Sequence, residues 1–243
     1  MVQDYPDWTL PVTQVNIAGL AGLEELAARL GSIVPWDMKG NIILLEDFES
    51  ELTEWSDLST GDCSVVRSSR HKYSGDWSAK LITAGDEGDT VQFARMLYFP
   101  GVSKYALACR LCLHDECYKI GMYAYLNRGS LLESYYFDIS YNPNTGELIL
   151  ETRDDAAYLV ATVKACYASP YYSWLPLMIT FDLESEKFDK VFLGDEEYDI
   201  SAHSIYLGTT SAYREIDLYV YTKRSDADFT SYIDDIVLAK NVP

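Results

Sequence analysis

The chain has 243 residues, 48% of them hydrophobic and 23% charged, enough for one well-buried β domain of the common size of about 200–250 residues. Nineteen Lys and Arg stand against 38 Asp and Glu, a formal net charge of −19. Such a surface repels phosphate backbones and anionic lipid, which counts against nucleic-acid and membrane-surface partners and leaves neutral or cationic ligands, although excess acid also serves plain solubility.

Residues 1–40 differ from the rest. Asp4-Tyr5-Pro6-Asp7-Trp8-Thr9-Leu10-Pro11 is irregular. Leu20, Leu23, Leu26, Ala27 and Leu30 then recur at helical spacing, with Gly31 as a C-cap and Pro35 as a stop. One apolar stripe on so short a helix needs a partner surface. The expectation is an N-terminal arm (1–40) that packs on its own domain or joins subunits into a homo-oligomer. Met1 to Trp8 lacks a basic start and an apolar stretch. A product made in a cytoplasm without a signal peptide, and released for example in a virus particle, is therefore expected. No run of about 18 apolar residues provides a spanning helix.

From residue 41 to 243 the period is two. Strands are expected at Asn41–Phe48, Val91–Phe99, Tyr105–Leu113, Tyr118–Leu126 and Ser134–Tyr141. Asn142-Pro143-Asn144-Thr145-Gly146 is a turn from which Glu147–Thr152 returns antiparallel. Trp174–Leu183, Phe188–Leu193, Tyr198–Ile200, Glu215–Tyr221 and Tyr232–Leu238 complete the set, with turns at 184–187 and 194–196. Many short strands without helices between them predict an all-β sandwich of two antiparallel sheets. Twenty tyrosines against eight phenylalanines suit half-buried strands and also contact surfaces, because Tyr offers a large face and a polar tip.

Cys109, Cys112 and Cys117 with His114 have the composition of a zinc site. Alternation instead places Tyr105, Leu107, Cys109, Leu111 and Leu113 on one face and Cys112 and His114 on the other, so the cysteines are read as small apolar packing residues. With Cys63 and Cys166 they number five, and reduced thiols are the expectation. His71, His114 and His203 sit in no hydrolase or metalloprotease motif. Glu184 and Glu186 bracket a turn and read as a solvated hairpin. No catalytic residue is therefore assigned.

Three stretches carry a resemblance. They are Glu46-Asp47-Phe48-Glu49-Ser50 followed by Trp55, Ser74-Gly75-Asp76-Trp77-Ser78-Ala79-Lys80-Leu81, and Ile233-Asp234-Asp235-Ile236. With the strand Trp174–Asp182 they resemble the edges of concanavalin-A-like and laminin-G-like jelly rolls, including non-catalytic carbohydrate-binding modules. The resemblance implies a jelly-roll sandwich. It also implies a structural calcium ion held by Glu49 and Asp235, with Asp47 and Asp234 as substitutes, oxygen donors that suit a hard cation. The opening Asp4–Thr9 resembles phage-associated proteins.

Sugar sites use aromatic platforms beside amide and carboxylate partners. Trp77, Tyr125, Asn127, Tyr171, Tyr172 and Trp174 are the candidates here, and Tyr219 and Tyr221 share a face. The expected function is a non-catalytic binding or assembly protein, of a virion or surface-adhesion kind, directed at a glycan or a protein. A glycoside hydrolase or lyase of the same fold, and a ligand-free shell or decoration protein, are the alternatives.

Overall fold

A computed structural model of the protein describes residues 40–84, 86, 88–98, 101–113, 119–128, 133–152, 157–163, 173–209, 214–223 and 228–243. Residues 1–39, on which the expected arm and helix fall, and His114, Cys117, Cys166, Tyr167, Tyr171 and Tyr172 lie outside the described residues. Two eight-stranded antiparallel sheets form a jelly-roll sandwich.

The first sheet contains β1 (Asn41–Glu46), β3 (Ser64–Ser68), β4 (Ser78–Ile82), β6 (Lys104–Leu113), β11 (Ser173–Asp182), β12 (Lys187–Leu193), β13 (Glu196–Asp199) and β16 (Thr230–Lys240). Its order is β13-β12-β11-β6-β16-β4-β3, with β1 also on β16. The second contains β2 (Ser56–Asp57), β5 (Thr90–Tyr98), β7 (Lys119–Arg128), β8 (Glu133–Asn142), β9 (Glu147–Glu151), β10 (Ala157–Thr162), β14 (Tyr206–Thr209) and β15 (Arg214–Lys223). Its order is β10-β9-β8-β7-β15-β5-β2, with β14 also on β8.

Strict alternation builds the core. Tyr105, Leu107, Cys109 and Leu111 of β6 and Leu177, Ile179 and Phe181 of β11 face inward from the first sheet, all buried. Ile120, Met122, Ala124 and Leu126 of β7, Tyr135, Phe137 and Ile139 of β8, and Ile216, Leu218 and Val220 of β15 meet them from the second. The rings of Tyr105 and Phe181 stack at 5.6 Å, and Phe181 reaches Phe137 across the sandwich at 5.1 Å. Burying a large apolar side chain is worth about 1.5–3 kcal/mol, so this inter-sheet layer fixes the register of both sheets.

The expected strands are present with shifts of one or two residues at their ends. Four strands carried no sequence signal. β2 has two residues, β3 and β10 are edge strands with no regular inside–outside alternation, and β14 pairs only with one end of β8. Cys109 and Cys112 lie on opposite faces of β6, and burial pushes both thiols up to about 12. A thiol so placed is inert packing rather than a ligand or nucleophile.

Candidate functional site

The outer face of the second sheet is paved with tyrosine. Strand β7 lies between β8 and β15, so its outward residues meet outward residues on both sides. One row runs Asp138, Tyr123, Tyr219 and Ala94, and the next runs Tyr136, Tyr125, Asp217 and Met96. Tyr123 and Tyr219 stack at 4.3 Å with their planes 8° apart. Tyr125 stands edge-on to both, at 6.2 Å from each, and its ring lies 4.8 Å from that of Tyr136. These four residues are half-buried. Met96 and Tyr98 extend the paving on β5 and are 70% and 72% exposed.

Among the carboxylates of this face, Asp138 and Asp217 stand in different states. Asp138 is buried, accepts the Tyr221 hydroxyl on both oxygens, and lies 3.7 Å from the Lys119 ammonium, which also bonds Glu151 at 2.7 Å. Burial pushes Asp138 up to about 6, against the opposing pull of Lys119 and of the Tyr221 hydroxyl. Asp217 is also pushed up to about 6, by burial and then by Glu215 one row away. Its Oδ1 is shut off from solvent and has no hydrogen-bond partner. Burial raises the phenols of Tyr123, Tyr125, Tyr136, Tyr219 and Tyr221, and nearby acids raise them further. These hydroxyls therefore keep their protons at neutral pH and act as donors.

A second polar cluster closes one end of the first sheet. Strand β16 is bulged at Asp235, whose φ is +49°, and its register against β6 shifts between Asp234 and Val237. Asp234 accepts the amides of Tyr73 at 2.8 Å, Ser74 at 3.2 Å and Asp235 at 2.9 Å. Asp235 accepts the Ser74 hydroxyl at 2.7 Å. Glu49 accepts the amides of Asp76 at 2.6 Å and Trp77 at 3.0 Å, and Asp47 accepts the amide of Glu49 at 3.1 Å. Gly75 sits where φ is +56°, and a Cβ there would stand 2.2 Å from the Glu49 carboxylate. The loop from Tyr73 to Trp77 is thus clamped by three carboxylates. Burial pushes Asp234 up to about 7, with Asp235 adding to it against the three amides. Burial also raises Asp235, opposed by Ser74 and Arg110 and reinforced by Asp47. The donors are all oxygen, the kind a hard cation takes, but among the described residues no three His, Cys, Asp or Glu side chains converge as a metal-holding group. Any cation here would need the Ser74 hydroxyl or backbone carbonyls beside two of the carboxylates.

With this geometry in view, solved structures of the same fold can be compared. The chain superposes on the cellulose-induced protein Cip1 with a TM-score of 0.53 at 16% identity, covering 81% of this chain and 96% of that one. An endo-β-1,4-glucuronan lyase from the fungus Trichoderma reesei gives 0.53 at 11% identity, over 82% and 96%. A carbohydrate esterase from the Shiga toxin-encoding bacteriophage phi24B gives 0.53 at 14% identity, over 83% and 99%. At these identities the likeness establishes the jelly-roll fold alone. No family model and no curated protein matches the sequence.

The residues expected to bind a ligand fall into separate places. Tyr125 is on the tyrosine face. Asn127 lies on the same strand face and accepts the Ser134 hydroxyl at 2.7 Å. Trp174 is on β11 of the first sheet, and Trp77 ends the loop that leads into β4 of that sheet. Arg67 stacks over Trp77 at 4.1 Å, and Trp174 meets Tyr73 edge-on at 5.9 Å. They do not share a site with Tyr125. Tyr123, Tyr136, Asp138 and Asp217 were not singled out by sequence. Their outward alternation was readable, but their convergence depends on which strands flank β7.

Proposed function

We propose that the protein is a non-catalytic binding protein that seats a glycan on the tyrosine face of the second sheet. The observation that carries this is the patch of four half-buried rings, Tyr123, Tyr125, Tyr136 and Tyr219, set beside the half-buried Asp217 carboxylate. A pyranose presents an apolar face that stacks on such rings and hydroxyls that bond carboxylates and phenols. The fold neighbours named for carbohydrate chemistry support the choice of ligand class.

A hydrolase or lyase on the same face is the second reading. Asp138 and Asp217, both near 6, lie in a useful range for proton transfer. Against it, Asp138 is committed to Tyr221 and Lys119, and the tyrosines hold their protons too firmly to serve as bases. The Cα atoms of the two carboxylates are about 12 Å apart, from two strand spacings and two residues of rise. His71 packs on Tyr232 and His203 on Tyr158, away from this face.

A glycan array with wild-type protein, Tyr125→Ala and Trp174→Ala tests the reading. Hits lost with Tyr125→Ala support it. Hits lost only with Trp174→Ala move the site to the first sheet. A blank array favours a shell or decoration role. Release of new chain ends from a bound polysaccharide would replace the binder with the enzyme.

The proposal includes calcium at the clamped loop, held by Glu49 and Asp235, with Asp47 as a substitute, beside the Ser74 hydroxyl or backbone carbonyls, and with Asp234 committed to positioning the loop amides. It also includes a virion setting, with residues 1–40 joining copies of the chain. Light scattering on the full chain and on residues 41–243 tests the last point, since assembly that survives the truncation would remove that role from the arm.

A further inference from the structure

Charge on the tyrosine face is unevenly compensated. At one end Lys119 answers Glu151 and Asp138. At the other, Glu215 and Asp217 are consecutive outward residues of β15, and no ion pair engages either among the described residues. Asp217 lies across from Tyr125 on one side and next to Tyr219 along its own strand. Its Oδ1 is closed to solvent without a donor. Aromatic faces beside a carboxylate pair form a setting that attracts a cation twice, through the ring quadrupoles and through charge. An anionic sugar such as a uronate would meet two uncompensated negative charges in the same place.

We propose that the glycan taken by this face carries a protonated amino sugar, whose ammonium group bonds Asp217 and Glu215 while its ring lies against Tyr125 and Tyr219. This rests on the tyrosine face being the glycan site. The ammonium meets the half-exposed side of the Asp217 carboxylate and the Glu215 carboxylate next to it, and the net charge of −19 favours the approach of a polycation. Lysine-rich peptide offers the same ammonium without the pyranose face. The stacked rings therefore favour the sugar.

The test is titration calorimetry of the full chain, at low salt and one fixed pH, against four probes of similar length. These are β-1,4-glucosamine oligomers, their fully N-acetylated counterparts, neutral β-1,4-glucose oligomers and oligolysine. The expected result is binding of the glucosamine oligomer about tenfold or more tighter than both the acetylated and the glucose oligomers, the scale of a charge-assisted hydrogen bond. Asp217→Asn should bring that ratio toward one. Equal binding of the amine and acetylated oligomers overturns the amino-sugar inference and leaves the glycan site standing. Oligolysine binding as tightly as the glucosamine oligomer overturns it in favour of a cationic peptide. Failure of every sugar removes the glycan site, and this inference falls with it.

Discussion

The Tyr221 hydroxyl donates to both carboxylate oxygens of Asp138, at 2.8 and 2.9 Å, although the two residues stand on β15 and β8 with β7 between them. The phenol crosses β7 where Gly121 pairs with Tyr221 on one side and Ser140 on the other. This bond ties three strands together from the outside of the sheet. Tyr221→Phe would leave Asp138 with the Lys119 ammonium at 3.7 Å as its main support. The expected cost is about 1–3 kcal/mol, since a buried carboxylate loses a donor and gains nothing. Urea unfolding should show a lower midpoint at unchanged slope, and an unaltered midpoint would mean the bond is replaced by water.

Gly121 lets β7 and β8 approach closely at this crossing. A Cβ at this position would stand 2.4 Å from the Ile139 carbonyl oxygen and 2.8 Å from Ser140. These are backbone and Cβ atoms of a central strand and cannot swing aside. Gly121→Ala should therefore destabilise by about 1–3 kcal/mol, as overpacking does. It should also weaken glycan binding by shifting Tyr123 beside it. A variant as stable as wild type would show that β7 and β8 separate more easily than their pairing suggests.

Asp138 also sets a pH dependence. Its folded value near 6 lies above the ordinary carboxylate value of 3.8, so between those limits the folded state holds more proton than the unfolded chain. The stability it contributes is fully present below about pH 4 and is lost as pH rises through about 6. Asp217 acts in the same direction. In Asp138→Asn the fall in unfolding free energy from pH 4 to 6 should be shallower by up to one proton. Tyr221 can still donate to the amide oxygen, so the variant should fold. An unchanged slope would place the titrating proton elsewhere.

Sequence carried the regular parts of this molecule and lost the irregular ones. Tyr105, Leu107, Cys109 and Leu111 alternate cleanly and do face the core, with Cys112 outward. The weakly patterned edges, β3 and β10, have no buried stripe to read. Tyr125 and Asn127 were legible as candidate ligand residues, and Tyr219 and Tyr221 as sharing a face. Their meeting was not, because nothing local to β7 says that β15, far along the chain, lies beside it. Trp77 and Trp174 were grouped with Tyr125 on residue type alone, and the sheet assignment separates them. Strict alternation puts Asp234 and Asp235 on opposite faces. The bulge at Asp235 relaxes that rule, and a residue with positive φ that is not glycine gives no sequence warning.

That bulge leads to the calcium prediction. Asp235 is buried, beside Asp47, and raised by both burial and that neighbour, so a cation would relieve charge there as well as hold the loop through Ser74. Binding only to the folded state at about 100 times Kd adds about 2.7 kcal/mol. For a domain of this size that is a rise in Tm of about 5–10 °C. Millimolar calcium should raise Tm by that amount and chelator should reverse it. Protons compete for Asp235, whose affinity for them is raised, so the rise should be larger at pH 8 than at pH 5. Asp235→Asn should abolish it, while Asp234→Asn should lower Tm with and without calcium because Asp234 holds the amides of Tyr73 and Ser74. A calcium-dependent rise that survives Asp235→Asn would place the ion away from the bulge. No rise at either pH would mean that the three carboxylates serve only to clamp the loop.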